Sequence, residues 1–139
     1  MKILVYYVGK PRDPNANRMA QEFILRSTRF GRCEMREIAP ARFDPWAKHP
    51  SATKILLDPA GRAMDSAAFA QLVGQAELHA RDLVFLLGGA SGPPAAWKQP
   101  GTLLLALSAM TLPHELARVV LAEQIYRALT TLRGHPYPK

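Results

Sequence analysis

Two hydrophobic periods alternate along the 139-residue chain, and the switches between them mark its elements. Lys2–Val8 is an almost continuous β-rich apolar run, the pattern of a strand covered on both faces. A turn-forming Gly9-Lys-Pro-Arg-Asp-Pro14 follows. A 3.6-residue period then predicts a helix over Asn15–Phe30, with Met19, Phe23 and Ile24 inward and Arg18, Glu22, Arg26 and Arg29 outward. Gly31 ends it. Cys33–Ile38 sets Glu34 and Arg36 against Met35 and Ile38, as a strand with one wet face would. Ala39–Ser51 carries Pro40, Pro45 and Pro50 and keeps neither period, which predicts a loop.

Thr53–Asp58 returns to strand, with a turn at Pro59-Ala-Gly-Arg62. Asp65 or Ser66 caps a helix running to about His79, with Phe69, Leu72, Val73 and Ala76 facing in. Asp82–Leu87 is a strand opening onto Gly88–Pro94, and Thr102–Leu107 is the last strand. A tight polar turn leads into the longest helix. Pro113 suits its first turn, and Glu115 suits the positive end of its dipole. Leu116, Val119, Val120, Ile125, Tyr126 and Leu129 recur at helical spacing, with Arg118, Glu123 and Arg127 near the border of that face. Gly134 stops the helix.

Strands alternating with helices predict a single α/β domain with a mainly parallel sheet and helices on both faces. Ligands in such sheets bind at the carboxyl ends of the strands. Leu57-Asp58, Gly88-Gly89 and Leu107–Leu112 are those ends for three successive strands.

Composition narrows the functional classes. No apolar run approaches a membrane span, and Met1-Lys-Ile-Leu-Val reads as a strand rather than a cleavable signal. A single cysteine, Cys33, excludes an internal disulfide and a Cys-cluster metal site, so a cytoplasmic location is expected. A lone Gly9 makes no dinucleotide fingerprint, there is no Walker motif, and Pro93 stands where a nucleophile elbow around Ser91 would need glycine. The formal charge of +7 favours a polyanionic partner. Its sources are scattered over Lys10, Arg12, Arg26, Arg29, Arg32, Lys48, Lys54, Arg127, Arg133 and Lys139.

Leu107–Leu112 followed by Pro113-His114, then Ala122-Glu-Gln-Ile-Tyr-Arg-Ala128 and His135-Pro-Tyr137, resembles the ribosomal RNA large-subunit methyltransferase H family. These are small SPOUT-class enzymes that methylate N3 of a pseudouridine in 23S rRNA. The likeness also takes in Met1-Lys-Ile, Val8-Gly9, Ile38-Ala-Pro40, Leu57-Asp58 and Gly88-Gly89, so it runs almost end to end. It implies a C-terminal trefoil knot, which the residues alone would never suggest because true knots are rare. It further implies a homodimer acting on helix 69 of 23S rRNA in the assembled ribosome, with no metal and with S-adenosylmethionine as cofactor. Leu57, Gly88, Leu107, Ser108, Ala109, Met110, Thr111 and Leu112 would hold that cofactor. The chain departs from the family by lacking about one helix in its middle, by Ala90-Ser91 in place of Pro-Glu, and by Pro138 in place of a histidine.

Methyl transfer is an in-line displacement, so positioning carries much of it, while the imide proton of the base calls for a proton acceptor or a nearby cation. His114, Arg118, Arg127, His135 and Tyr137 are the candidates, and the resemblance implies that the tail carrying the last two closes over the site. The alternative is a catalytically weak relative that keeps the fold and binds RNA or the ribosome.

Overall fold

The computed structural model describes residues 1–138. Five strands form one sheet in the order β2-β1-β4-β3-β5: β1 (Lys2–Val8), β2 (Arg32–Ile38), β3 (Thr53–Ala63), β4 (Leu83–Leu87) and β5 (Leu103–Ala106). Every pairing is parallel. The central β4 is buried along its whole length, which explains its unbroken Leu-Val-Phe-Leu-Leu.

The three long helices, α1 (Pro14–Ser27), α3 (Ser66–Leu78) and α4 (His114–Leu132), share the core with one face of the sheet. Short pieces cover the other face: a 3₁₀ turn at Pro40–Arg42, the single turn α2 (Pro45–Lys48) and a 3₁₀ turn at Ala95–Trp97. Ala39–Ser51 is thus not a plain loop. Asp44 caps α2 by accepting from the Trp46 and Ala47 amides, and Pro45 occupies the first helical position, so prolines start the helical pieces here instead of breaking them.

Three further expectations need correction. The first helix stops at Ser27, where Ser27 and Thr28 hydroxyls bond the carbonyls of Phe23 and Leu25 and the chain tightens into a turn. Its buried stripe is Ala20, Ile24 and Ser27, which leaves Met19 exposed. The turn at Pro59–Arg62 lies within β3 as a bulge: Leu57 and Arg62 both pair with Leu105. Gly61 permits it, since a Cβ there would stand 2.6 Å from the Leu104 carbonyl carbon. In α4, Leu116 is exposed, and Arg118, expected at the border, is 3% exposed.

α4 is capped at its C-terminus as the sequence suggests. Gly134 takes φ +66°, and the His135 and Gly134 amides reach back to Thr130 and Thr131 carbonyls, a Schellman pair. α1 and α4 lie side by side in the same direction. Glu115 bonds the amides of Arg12 and Asp13 at one end, and Phe23 and Phe30 meet Tyr126 toward the other.

Candidate functional site

Because the strands are parallel, β4 and β5 deliver their carboxyl ends, and β3 its bulge after Leu57, to one edge of the sheet. There Leu57, Leu87, Leu105, Leu107 and Leu112 wall a cavity of about 300 Å³. Gly88, Gly89 and Gly92 form one rim, and Ser108, Met110, Thr111 and His114 stand along the segment entering α4. Of the eight residues expected to hold a cofactor, Ala109 alone does not line this space.

Gly88 lines the cavity and also serves its own loop. Its absent Cβ would meet the Pro93 nitrogen at 2.5 Å and the Gly92 carbonyl carbon at 2.6 Å. The glycine therefore lets the 88–93 loop fold back on itself, closed by the Gly92 amide on the Gly89 carbonyl, with Gly92 at φ +83°. Ser108 closes its own turn by accepting the Met110 amide at 2.9 Å, which leaves its O–H free to donate.

Asp58 contributes the cavity's one carboxylate among the described residues. Its Oδ1 accepts the Ala60 amide at 2.9 Å and its Oδ2 lies 3.2 Å from Lys98 Nζ. Those contacts, the amide foremost, hold its pKa below the ordinary carboxylate range. Sequence reasoning treats Asp58 only as part of a motif. The signal that marks it is an acid followed by proline after an apolar strand run.

The five candidates for chemistry fall into three places. His114 lines the cavity at the first residue of α4. Arg118 lies one turn further on, buried, with its guanidinium carbon 3.7 Å from the centroid of the Tyr7 ring. Burial lowers its pKa, and its Nε has no partner among the described residues. It lies over the Tyr7 ring and does not line the cavity.

Arg127, His135 and Tyr137 gather at the other end of α4. Arg127 makes a 2.8 Å ion pair with Glu123, whose carboxylate also accepts the Tyr137 hydroxyl at 2.7 Å. The Tyr137 ring packs edge-on against Tyr126 at 4.6 Å, and His135 Nδ1 accepts the Tyr137 amide at 3.1 Å. At 1.5 Å rise per residue, Arg127 sits roughly 20 Å along the helix from His114. Within one chain the described tail residues, 135–138, do not line the cavity.

One further correction concerns surface. Lys54, counted among scattered surface cations, is 6% exposed: it donates to the His49 carbonyl and lies beside the Trp46 ring. Cys33 is buried, and desolvation pushes its thiol up to about 12, so it is no nucleophile. Among the described residues no helix is long and apolar enough to cross a membrane.

The cavity fits the adenosyl part of S-adenosylmethionine. Leucine walls suit an adenine, loop amides and the Ser108 hydroxyl offer hydrogen bonds, and Asp58 is an acceptor for hydroxyl or ammonium groups.

The model of predicted SPOUT methyltransferases matches residues 1–138. A ribosomal RNA large subunit methyltransferase H from Solibacter usitatus is 60% identical over 137 residues, 99% of each chain. Among solved structures, a probable methyltransferase from Bordetella pertussis aligns with a TM-score of 0.63 at 16% identity, covering 92% of this chain and 96% of that one. The SpoU methyltransferase AviRb from Streptomyces viridochromogenes, solved in complex with the cofactor AdoMet, gives 0.52 at 14% identity, covering 94% and 61%. At those identities the structures speak for the fold, and the sequence relative speaks for more. The chain belongs to the ribosomal RNA large subunit methyltransferase H family of SPOUT methyltransferases.

Proposed function

We propose that this protein is an S-adenosylmethionine-dependent methyltransferase of large-subunit ribosomal RNA. Its target is N3 of a pseudouridine in helix 69 of 23S rRNA, reached on the assembled ribosome in the cytoplasm. The observation that carries this reading is the cavity at the ends of β4 and β5 and the bulge of β3, walled by the residues of the family's motif and bordered by His114. With the family goes the C-terminal trefoil knot.

The reaction makes an N–CH₃ bond, breaks a C–S bond and releases the imide proton. S-adenosylmethionine, when bound, supplies a methyl carried on a positively charged sulfur. The chain's part is to seat that group, hold the base in line, and handle the proton. His114 at the cavity is placed to accept the proton. Arg127 supplies a cation that stabilises the imide anion, with Tyr137 and His135 shaping its surroundings.

Since His114 and Arg127 lie at opposite ends of one helix, we place them together by pairing two chains. Of Val119, Val120, Ile125 and Tyr126, the apolar α4 residues expected at a dimer seam, all but Val120 are buried within their own chain. Met110, Leu116 and Met19, all exposed around the cavity end of α1 and α4, are the apolar surface assigned to the dimer. Light scattering should give twice the chain mass at micromolar concentration, and a monomer there would remove this part of the reading. Exposed basic residues draw the dimer to RNA, so binding should weaken steeply with salt.

Mass spectrometry of rRNA from a strain lacking the gene tests the whole. Loss of N3-methylpseudouridine, restored by the gene, is expected. Persistence of the mark would overturn the reading.

A further inference from the structure

Glu123 is at first sight an ordinary partner for Arg127, one helical turn away. Its carboxylate does considerably more. Oε2 accepts from Arg127 Nη2 at 2.8 Å, from Arg127 Nε at 3.1 Å and from the Tyr137 hydroxyl at 2.7 Å. Oε1 accepts from Gln124 Nε2 at 3.1 Å. One acid thus binds its own helix to a tail residue fourteen positions later. The tail can reach it because Gly134 turns the chain back and the His135 amide bonds the Thr130 carbonyl.

Two features show that this hub leaves a working edge. Arg127 Nη1 makes no hydrogen bond among the described residues, while Nε and Nη2 are both clamped. The guanidinium carbon lies 5.4 Å from the Tyr137 ring centroid, so the ring limits its swing on one side. The Tyr137 pKa is raised, by burial first and the Glu123 hydrogen bond second, so its hydroxyl stays a donor at neutral pH. A freely rotating arginine would have to be ordered during the reaction, and this one is ordered beforehand.

We propose that Glu123 is a positioning residue for the transfer: it fixes Arg127 and Tyr137 as one unit, so that the open Nη1 edge of Arg127 faces the imide anion of the substrate base. The proposal rests on the methyltransferase reading above. It adds that the tail is preorganised by a carboxylate that itself touches no reacting atom.

The test compares Glu123→Ala and Glu123→Gln with the wild-type dimer. Single-turnover methylation of ribosomes should fall about a hundredfold in Glu123→Ala. Glu123→Gln, whose amide oxygen still accepts from Arg127 and Tyr137, should recover much of that loss. S-adenosylmethionine affinity by calorimetry and the melting temperature should stay near wild type, which a merely structural residue would not allow. The alanine defect should narrow at high pH, where the imide ionises without help. Hydrogen exchange of the Tyr137 amide should quicken in Glu123→Ala whether or not the wild type methylates. Faster exchange with an inactive wild type would sink the methyltransferase reading and leave the positioning of the tail intact. Unchanged exchange, or a wild-type rate in Glu123→Ala, would overturn the proposal itself.

Discussion

The two ends of α4 are built on opposite plans. At the first, His114 borders a leucine-walled cavity whose backbone turns are closed by glycines and by Ser108, with few committed side chains. At the other, Glu123, Arg127, Tyr126 and Tyr137 are bonded or packed against one another, with one edge of Arg127 left open. The first end is shaped to be filled, and the second holds charged and aromatic groups in fixed relation. Under the proposed function, the first seats the methyl donor and the second meets the base. With a helix length of roughly 20 Å between them, neither end completes a site alone under that proposal.

Changes at the cavity end should have the largest effects. Gly88→Val drives a side chain into the Gly92–Pro93 backbone, so S-adenosylmethionine affinity should fall at least ~100-fold, together with about 1–3 kcal/mol of stability. Calorimetry paired with chemical denaturation checks both, and unchanged affinity would break the placement of the cofactor. His114→Ala should leave the cofactor bound and slow single-turnover methylation by roughly 10²–10³, with the defect shrinking as pH rises. A pH-independent defect would show that His114 positions instead of accepting a proton.

At the far end, deleting His135–Lys139 should slow transfer about 100-fold. Affinity for S-adenosylmethionine should not change, and stability should drop only about 1 kcal/mol, the scale of the lost Tyr126–Tyr137 contact. A wild-type rate would make the tail a bystander. Between the ends, Arg118→Met should shift stability by only about 1 kcal/mol in denaturant titrations. The lost stacking on Tyr7 is offset by removal of a buried cation whose Nε lacks a partner among the described residues. A loss above about 3 kcal/mol would assign the charge itself a structural role.

The cavity is legible in the sequence because strand periodicity fixes where parallel strands end, and the motif residues sit at those ends. The far end is half legible. Arg127, His135 and Tyr137 stand out as residue types, but nothing in the spacing of Glu123 and Tyr137 reveals that Gly134 folds one back onto the other. Arg118 is misplaced for a related reason. A helical wheel puts it at the edge of the α4 apolar face, and the wheel cannot show that Tyr7 of β1 lies under its guanidinium. The bulge in β3 stays hidden because Pro59-Ala-Gly-Arg62 reads as an ordinary turn. That the strand resumes pairing at Arg62 depends on Leu105, far along the chain.

The central claim is that one chain's cavity works with the other chain's tail. Co-expressing a His114→Ala chain with a chain lacking His135–Lys139 tests it most directly, since each homodimer alone should be nearly inactive. The mixed dimer joins an intact cavity on the truncated chain to an intact tail on its partner, and methylation of ribosomes should reappear in that fraction. If purified mixed dimers stay as inactive as either parent while wild-type dimers methylate, cavity and tail do not cooperate across the pair, and the claim is contradicted.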